Sequence, residues 1–585
     1  MQIVISVLVM LGLITGCKSK TNESTRSGSG SGSDRNTSDG TATTGSNTTS
    51  ATAAGTGDLK PVSECPPALK GADTGLARVI PANCTTVVEG EYSVDGTLTI
   101  EAGATLRFKP DAALVVGYSA PSKLIVRGTK DKPVTFASAG DQVAGAWRGV
   151  HLYAKAARSE ITGLVLEYAQ VGIDLESPDV VIKDSTFRGT KEMAVRAMDD
   201  LTLGGVSGTT FDKPGPLAMS IPPTALVAIG PGNVFSPDSV IQLRGGTAHV
   251  SGTWQNPGAP VRVSGEVYIE GKSGKCTIEI AAGTNFLLES GGAMYVGYGG
   301  DGELRVAGTT QARVTFRSAG DATPGAWDKG IIVYSHGSLA LAYATVEHGG
   351  RENAGAVRVE GGGKLSITAS SFKNNVVGVT VDEPSTLLAF DQNELADNKD
   401  AALTVFPKHV AALGGASSYT NQRIVIHGGR VDKSATWATQ TGALVVVDGE
   451  IYVEGGASLT VPAGAQYSFT EAAAMYVGYG GPGTLIAKGT PQAPITFAGA
   501  RDDEGSWHGI ELSNSAVSNV LENVVLTNAK VGVRVTGAGA AQIDKLTCTK
   551  CQEAALQWEC GSKVTQTGVK ATGGKARATV APTGC

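Results

Sequence analysis

The chain has 585 residues, including 79 glycines, with 5% aromatic and 17% charged residues and a formal net charge of −6. With 48 Lys plus Arg against 54 Asp plus Glu and no block of like charge, polyanion binding lacks its main driving force, so nucleic acid is excluded as an expected partner. A chain of this length outgrows one globular core, so several domains or a repeat architecture is expected.

The first residues, "MQIVISVLVMLGLITGCKSK", carry an apolar run from Ile3 to Ile14 followed by Thr15, Gly16 and Cys17. A run of this length ending in small residues reads as an export signal and is too short to span a bilayer. Its "ITGC" ending resembles a bacterial lipobox. The resemblance implies cleavage after residue 16, with Cys17 as the lipidated first residue of the mature chain. Lys18, in place of an Asp, resembles outer-membrane sorting. No other segment approaches the roughly 18–20 apolar residues of a spanning helix, so the lipid is the expected membrane contact. Residues 17–60, rich in Ser, Thr, Gly, Asn and Ala, cannot bury enough apolar area to offset chain entropy and read as a disordered tether. Some forty residues give it an r.m.s. reach of roughly 35 Å.

Beyond the tether, one unit recurs. "LVVGYSAPSKL" (114–124), "MYVGYGGDGEL" (294–304) and "MYVGYGGPGTL" (475–485) are copies of one sentence. Phe136, Phe316 and Phe497, and Trp147, Trp327 and Trp507, recur about 180 residues apart. "GEYSVDG", "GEVYIEG" and "GEIYVEG" open the copies, while Trp254 and Trp437 mark two copy ends. The expected organisation is an N-terminal cap with repeat 1 over residues 61–264, repeat 2 over 265–448, and a truncated repeat 3 with a Cys-rich cap over 449–585. Inside each copy, short alternating apolar runs end at Ile100, Phe108, Val116, Val126 and Phe136 in the first, and at matching positions in the others. Their spacings of 8, 8, 10 and 10 are the same in all three copies, and such runs between Gly, Pro and Asp turns are strands. Conserved spacing, apolar positions that align into interior ladders, and few hairpin signals ("VDG" being the main one) favour a β-solenoid over antiparallel sandwiches. At about 26 residues per turn the stack would have roughly 19 turns and a length of about 90 Å.

The succession "GTLTIEAGATLRF", "LIVRGTKDKPVTFASAGD", "GAWRGVHL", "ITGLVLEYA" and "VVIKDSTFRG" resembles the bacterial right-handed parallel β-helix repeat proteins of the pectate-lyase-like superfold. The resemblance runs over about residues 85–560. Its most specific piece is the series Gly-Thr, Pro-Val/Ile-Thr-Phe, Trp-x-Gly-Ile, seen at Gly128-Thr129 to Trp147, Gly308-Thr309 to Trp327 and Gly489-Thr490 to Trp507. The second copy departs from it, with Arg313 where Pro133 and Pro494 stand and one extra residue in "WDKGI".

Of the eight cysteines, Cys65 and Cys84 flank the start of the folded part, and Cys548, Cys551, Cys560 and Cys585 crowd its end. The export signal favours disulfides among these six, of open connectivity, stapling the two ends of the stack. A four-sulfur zinc site built around Cys548-x-x-Cys551 is the alternative. Cys276 stands alone and reads as a buried small hydrophobe.

"VGYGG" reads as a strand end and a turn whose glycines take positive φ, with Tyr118, Tyr298 and Tyr479 covering the corner. A functional reading is a Gly-Tyr loop presented three times along one face to touch a sugar chain. Glycosidases need two carboxylates at a fixed separation, and eliminating lyases need a base beside charge stabilisation. Asp199-Asp200 and Asp502-Asp503 are the only Asp-Asp pairs, and "SHG" (335–337), "EHGGRE" (347–352) and "IHGGR" (426–430) set His beside Gly without a matching carboxylate pair. Asp141, Asp321 and Asp502 recur at one place in each copy, as turn caps would. Asp199, Asp200, Arg196 and Lys191 are the nearest to a catalytic group. No catalytic, cofactor or metal residue is assigned. The expected protein is a non-enzymatic, lipid-anchored β-helical rod at the outer membrane or cell surface. It would present an elongated face for adhesion, for polysaccharide or surface-protein binding, or for envelope structure. The alternative is a polysaccharide lyase or glycoside hydrolase of the same superfold.

Overall fold

The computed structural model describes residues 62–584. The expected signal peptide 1–16, the expected lipidation site Cys17, the expected tether 17–60 and Cys585 lie outside the described residues. Alternation of inward apolar and outward polar residues makes short strands of the kind Thr105–Phe108 (TLRF) and Val134–Ser138 (VTFAS). Each strand stacks in parallel on its counterpart one turn away, as Leu106 does on Phe136. The result is an all-β parallel solenoid of about 21 turns with 2% helix. Rungs average about 25 residues over the 523 described (584 − 62 + 1, divided by 21), shorter than the 26 expected, so there are more turns than the roughly 19 expected, and the rungs are unequal. One takes 20 residues, Ile241 to Val261 (261 − 241), and another 36, Val115 to His151 (151 − 115). "VDG" makes no hairpin, since Gly96 lies inside the strand Thr85–Glu101.

A continuous interior runs through the stack, with Ile100, Phe136, Phe316 and Phe497 all fully buried. Aromatic rings form ladders within it, Phe187 on Phe211 at 5.7 Å and Phe211 on Phe235 at 4.8 Å between centroids. Trp147, Trp327 and Trp507 are buried, and each indole Nε1 donates to a carbonyl twenty residues on, that of Glu167, Glu347 or Thr527, at 2.8, 2.7 and 2.9 Å. Burying the ring while satisfying its one polar atom explains why Trp holds this position in every copy.

Each turn contributes strands to three columns, here called the phenylalanine column (Thr105–Phe108 in repeat 1), the tyrosine column (Ala113–Val116) and the third column (Lys123–Arg127). The columns do not keep their character along the rod. The tyrosine column of repeat 1 continues through Leu217–Ile221, Ile241–Leu243 and Val261–Val263 into Asn285–Leu288, which is the phenylalanine column of repeat 2. Likewise, the tyrosine column of repeat 2 runs through Ala401–Val405, Gln422–Val431 and Ala443–Val453 into Gln466–Phe469, the phenylalanine column of repeat 3. Every repeat is therefore shifted by one column relative to the last.

The shift is made at two 3-10 helices, Pro223–Ala228 and Pro407–Ala412. Each begins with proline, whose fixed φ and missing N–H suit a first helical turn. Just past each helix, Ile229 and Leu413 form the closing bridges of the third column, to Val206 and Phe390. The next tyrosine column then starts on the helix itself. A Cβ on Gly246 would lie 3.4 Å from Pro223, and one on Gly429 would lie 3.1 Å from Pro407.

Cys65 and Cys84 are disulfide-bonded with Cα atoms 5.6 Å apart, tying the first strands together. Cys548 and Cys551 are bonded with Cα atoms 5.9 Å apart, and Cys560 is also in a disulfide. Cys276 is free and buried, and burial pushes its thiol pKa up.

Candidate functional site

The outward residues of the tyrosine columns form the most organised surface of the rod. In repeat 2 the strand Glu266–Ile269 (EVYI) turns Val267 and Ile269 inward and Tyr268 outward, and Ala293–Val296 (AMYV) does the same with Tyr295. Register sets Tyr268 against Tyr295, with ring centroids 5.0 Å apart. Tyr298 from the corner loop closes on both, at 5.7 and 6.3 Å, and on Tyr334 at 5.0 Å. Repeat 3 rebuilds the group. Tyr452 faces Tyr476 at 5.2 Å, and Tyr479 stands 5.9 and 5.5 Å from them. The corner tyrosines do not cover the corner. Tyr118, Tyr298 and Tyr479 are 64%, 60% and 66% exposed, so their rings project beside the ladder.

A carboxylate organises each group. Glu266 accepts from the Tyr268 hydroxyl at 2.8 Å, from the Tyr295 hydroxyl at 3.2 Å and from Lys329 Nζ at 2.8 Å. The Lys329 hydrogen bond, then that of Tyr268, holds the Glu266 pKa below the usual range. Desolvation, then the Glu266 charge, pushes Tyr295 up to about 12, so its hydroxyl stays a donor at any physiological pH. In repeat 3 the Tyr452 hydroxyl donates to Glu450 at 2.5 Å, and that bond, followed by burial, raises Tyr452 to about 12. Two rungs beyond each second tyrosine lies an arginine, through Tyr295–Ile332–Arg358 and Tyr476–Glu511–Arg534. Tyr476, His508, Glu511, Lys530 and Arg534 line a cleft of about 110 Å³.

The corner loops are pinned from the rung below. Asp95 accepts from the N–H groups of Ser119 and Ala120 at 3.0 and 3.2 Å, Glu270 from Gly299 at 2.6 Å, and Glu454 from Gly480 at 3.1 Å. These are the acids of "VDG", "IEG" and "VEG", a role that sequence reading missed although their recurrence was its signal. Only the first glycine of "VGYGG" takes positive φ: Gly117, Gly297 and Gly478, at 75°, 71° and 74°. A Cβ there would approach a backbone nitrogen of the next rung to 2.4, 2.1 and 2.2 Å, so the conformation and the close approach both require glycine.

Repeat 1 lacks the ladder. Tyr92 points inward and is buried, its hydroxyl donating to Asp73, which also pairs with Arg78. Ser93 and the buried Val115 stand in place of the two column tyrosines, and one rung on His151 stacks on Tyr153 at 3.8 Å, with Tyr118 5.0 Å from Tyr153. The column shift corrects a second expectation: the three Gly-Tyr loops do not lie along one face but on successive columns.

The residues nearest to a catalytic group are not brought together. Arg196 pairs with Asp174, Arg244 with Asp199 at 3.0 Å, and Lys272 with Asp200 at 3.1 Å. Asp502 pairs with Lys550 at 2.7 Å, while Asp503 pairs with Arg501 at 2.8 Å. At the Asp141 and Asp321 turns the caps are Ser138 and Ser318, which accept from Gly140 and Gly320 at 3.1 Å each. His336 meets Asp301 at 3.2 Å and His427 lies 4.0 Å from Asp448, both at the surface. Among the described residues no group of three His, Cys, Asp or Glu is placed to hold a metal ion.

No curated protein and no solved structure matches the chain. Residues 428–545 match the family model of the pectate-lyase-like β-helix domain, a segment that begins where the tyrosine column of repeat 3 begins and carries its whole aromatic group.

Proposed function

We propose that the protein is a non-enzymatic, lipid-anchored rod of the outer membrane or cell surface that binds polysaccharide through its tyrosine faces. The observation that carries this reading is the pair of matching groups, Tyr268, Tyr295 and Tyr298 with Glu266, and Tyr452, Tyr476 and Tyr479 with Glu450. Exposed aromatic rings offer a surface for the apolar C–H face of a pyranose, and neighbouring carboxylates and cations take its hydroxyls. Charges in both groups are of mixed sign, with Lys329 on Glu266 and Arg430 on Glu454 at 2.8 Å each. Such a balance favours a neutral sugar chain over a polyanion. Duplication of the arrangement also fits binding better than turnover, since catalysis needs one site and gains little from a copy.

One observation favours the lyase or hydrolase reading. The cleft of His508, Glu511, Lys530 and Arg534 carries a carboxylate, Glu511, at the place where Ile332 stands in repeat 2. A glycan array probed with the full-length chain in detergent, run beside reducing-sugar and unsaturated-uronate release assays, separates the two. Binding to neutral glycans without product is expected; release of either product would overturn the non-enzymatic reading. Expressed in a bacterial host that lipidates exported proteins, Cys17→Ser is expected to move the protein from the membrane to the soluble fraction and to abolish fatty-acid labelling. Unchanged membrane retention would sink the lipid anchor.

A further inference from the structure

We infer that the protein bridges two polysaccharide chains instead of holding one along its length. This rests on the glycan-binding reading above and goes beyond it, because the course of the columns decides how many chains the rod can hold. Followed outward from the repeat 2 face, the residues after Tyr268 and Tyr295 are Ile332, Arg358, Thr380, Thr404, Val425, Val446, Ser468 and Ala498. None is aromatic. A sugar chain laid along that column leaves its platform and meets no second one, since the column has become the phenylalanine column of repeat 3, whose rings face the interior.

The second platform starts elsewhere. Its column begins at the strand segment holding Gly429 to Val431, on the 3-10 helix that ends the third column of repeat 2. Tyr476 lies seven rungs beyond Tyr295, about 34 Å along the axis at 4.8 Å per rung, and one column around the rod. The three columns are successive sides of each turn, so adjacent columns face different directions. A short oligosaccharide on one face therefore cannot reach the other. Two faces of like chemistry with different outlooks are the geometry of a cross-link. Repeat 1 adds no matching third site, because Ser93 and Val115 stand where the tyrosine pair stands in the other two copies.

The test uses the full-length chain in detergent, with cellohexaose and chitohexaose as neutral β-1,4-linked probes and the corresponding polymer on beads. Two bound hexasaccharides per chain are expected by calorimetry. Tyr295→Ala with Tyr298→Ala should leave one, and so should Tyr476→Ala with Tyr479→Ala; the surviving site shows that each variant is folded. Wild type should agglutinate the beads, while each single-face variant still binds them with at least tenfold less agglutination. A wild-type stoichiometry of one would overturn the bridging inference and leave glycan binding standing. So would loss of all binding in a single-face variant, which means one composite site, or agglutination that persists in both variants, which means the rods associate with each other. No binding of either probe would bring down both readings.

Discussion

His409 shows how a single side chain is held by the stack. It sits in the 3-10 helix Pro407–Ala412 and is buried. Nδ1 accepts from the Phe406 N–H at 3.2 Å, which leaves Nε2–H to donate to the Ser385 carbonyl at 2.9 Å, across one rung. Protonation would put a second donor where an acceptor is needed, in a site with little water. Burial is the main cause of its lowered pKa; the Ser385 carbonyl acts in the other direction. The unfolded chain, with an ordinary His pKa of about 6.5, then binds more protons than the folded one in the window between the lowered value and 6.5. The stability contributed by neutral His409 is complete above that window and declines as pH falls through it. Wild type is expected to lose thermal midpoint between pH 7.5 and pH 5. His409→Gln should start lower at pH 7.5 and fall less over the same interval, measured by circular dichroism at both pH values.

At the scale of the strand and its turn, the interior is not only apolar. Asn375, Asn398 and Gln422 stack over three rungs and are all buried. Asn375 Nδ2 donates to Asn398 Oδ1 at 3.0 Å, and Asn398 Nδ2 donates to Gln422 Oε1 at 3.1 Å. Each amide also serves backbone, Asn375 accepting from the Gly349 N–H at 2.9 Å and Asn398 donating to the Phe372 carbonyl at 3.0 Å. Replacing Asn398 by Leu orphans groups on both sides, at a cost of about 2–4 kcal/mol. Because each rung of a solenoid leans on its neighbours, the loss should be local. Faster amide exchange is expected across residues 371–425, with exchange near Phe136 unchanged. Uniform acceleration along the whole rod would contradict this account. The phenylalanine ladder was readable in the sequence because period-2 alternation marks Phe136, Phe316 and Phe497 as inward. The amide ladder was not: Asn375 and Asn398 lie between strands, where Asn ordinarily signals a turn, and they do not recur at the 180-residue offset.

For the molecule as a whole, the repeat length and the parallel stacking were legible because equal spacing in three copies leaves few other ways to pair strands. The direction each copy faces was not. Hydrogen-bond partners of a strand are set by how much chain the preceding turn uses, and the two short helices that set it, at Pro223 and Pro407, lack the alternation that reveals strands. Hence "VGYGG" was recognised as a repeated sentence, while its placement on successive columns had to come from the register. If the segment from Gly246 to Gly428 is a self-contained unit of the stack, a tandem duplication of it should raise the hexasaccharide stoichiometry from two to three. A value of two would show that a copy needs its native neighbours to form its face.

The one-column step at each 3-10 helix carries an implication for how such a chain can lengthen. Three steps complete the circuit of a three-sided rod, so a fourth unit would look out in the same bearing as the first. Growth by whole units thus adds compass points until all sides are served, and after that it adds reach.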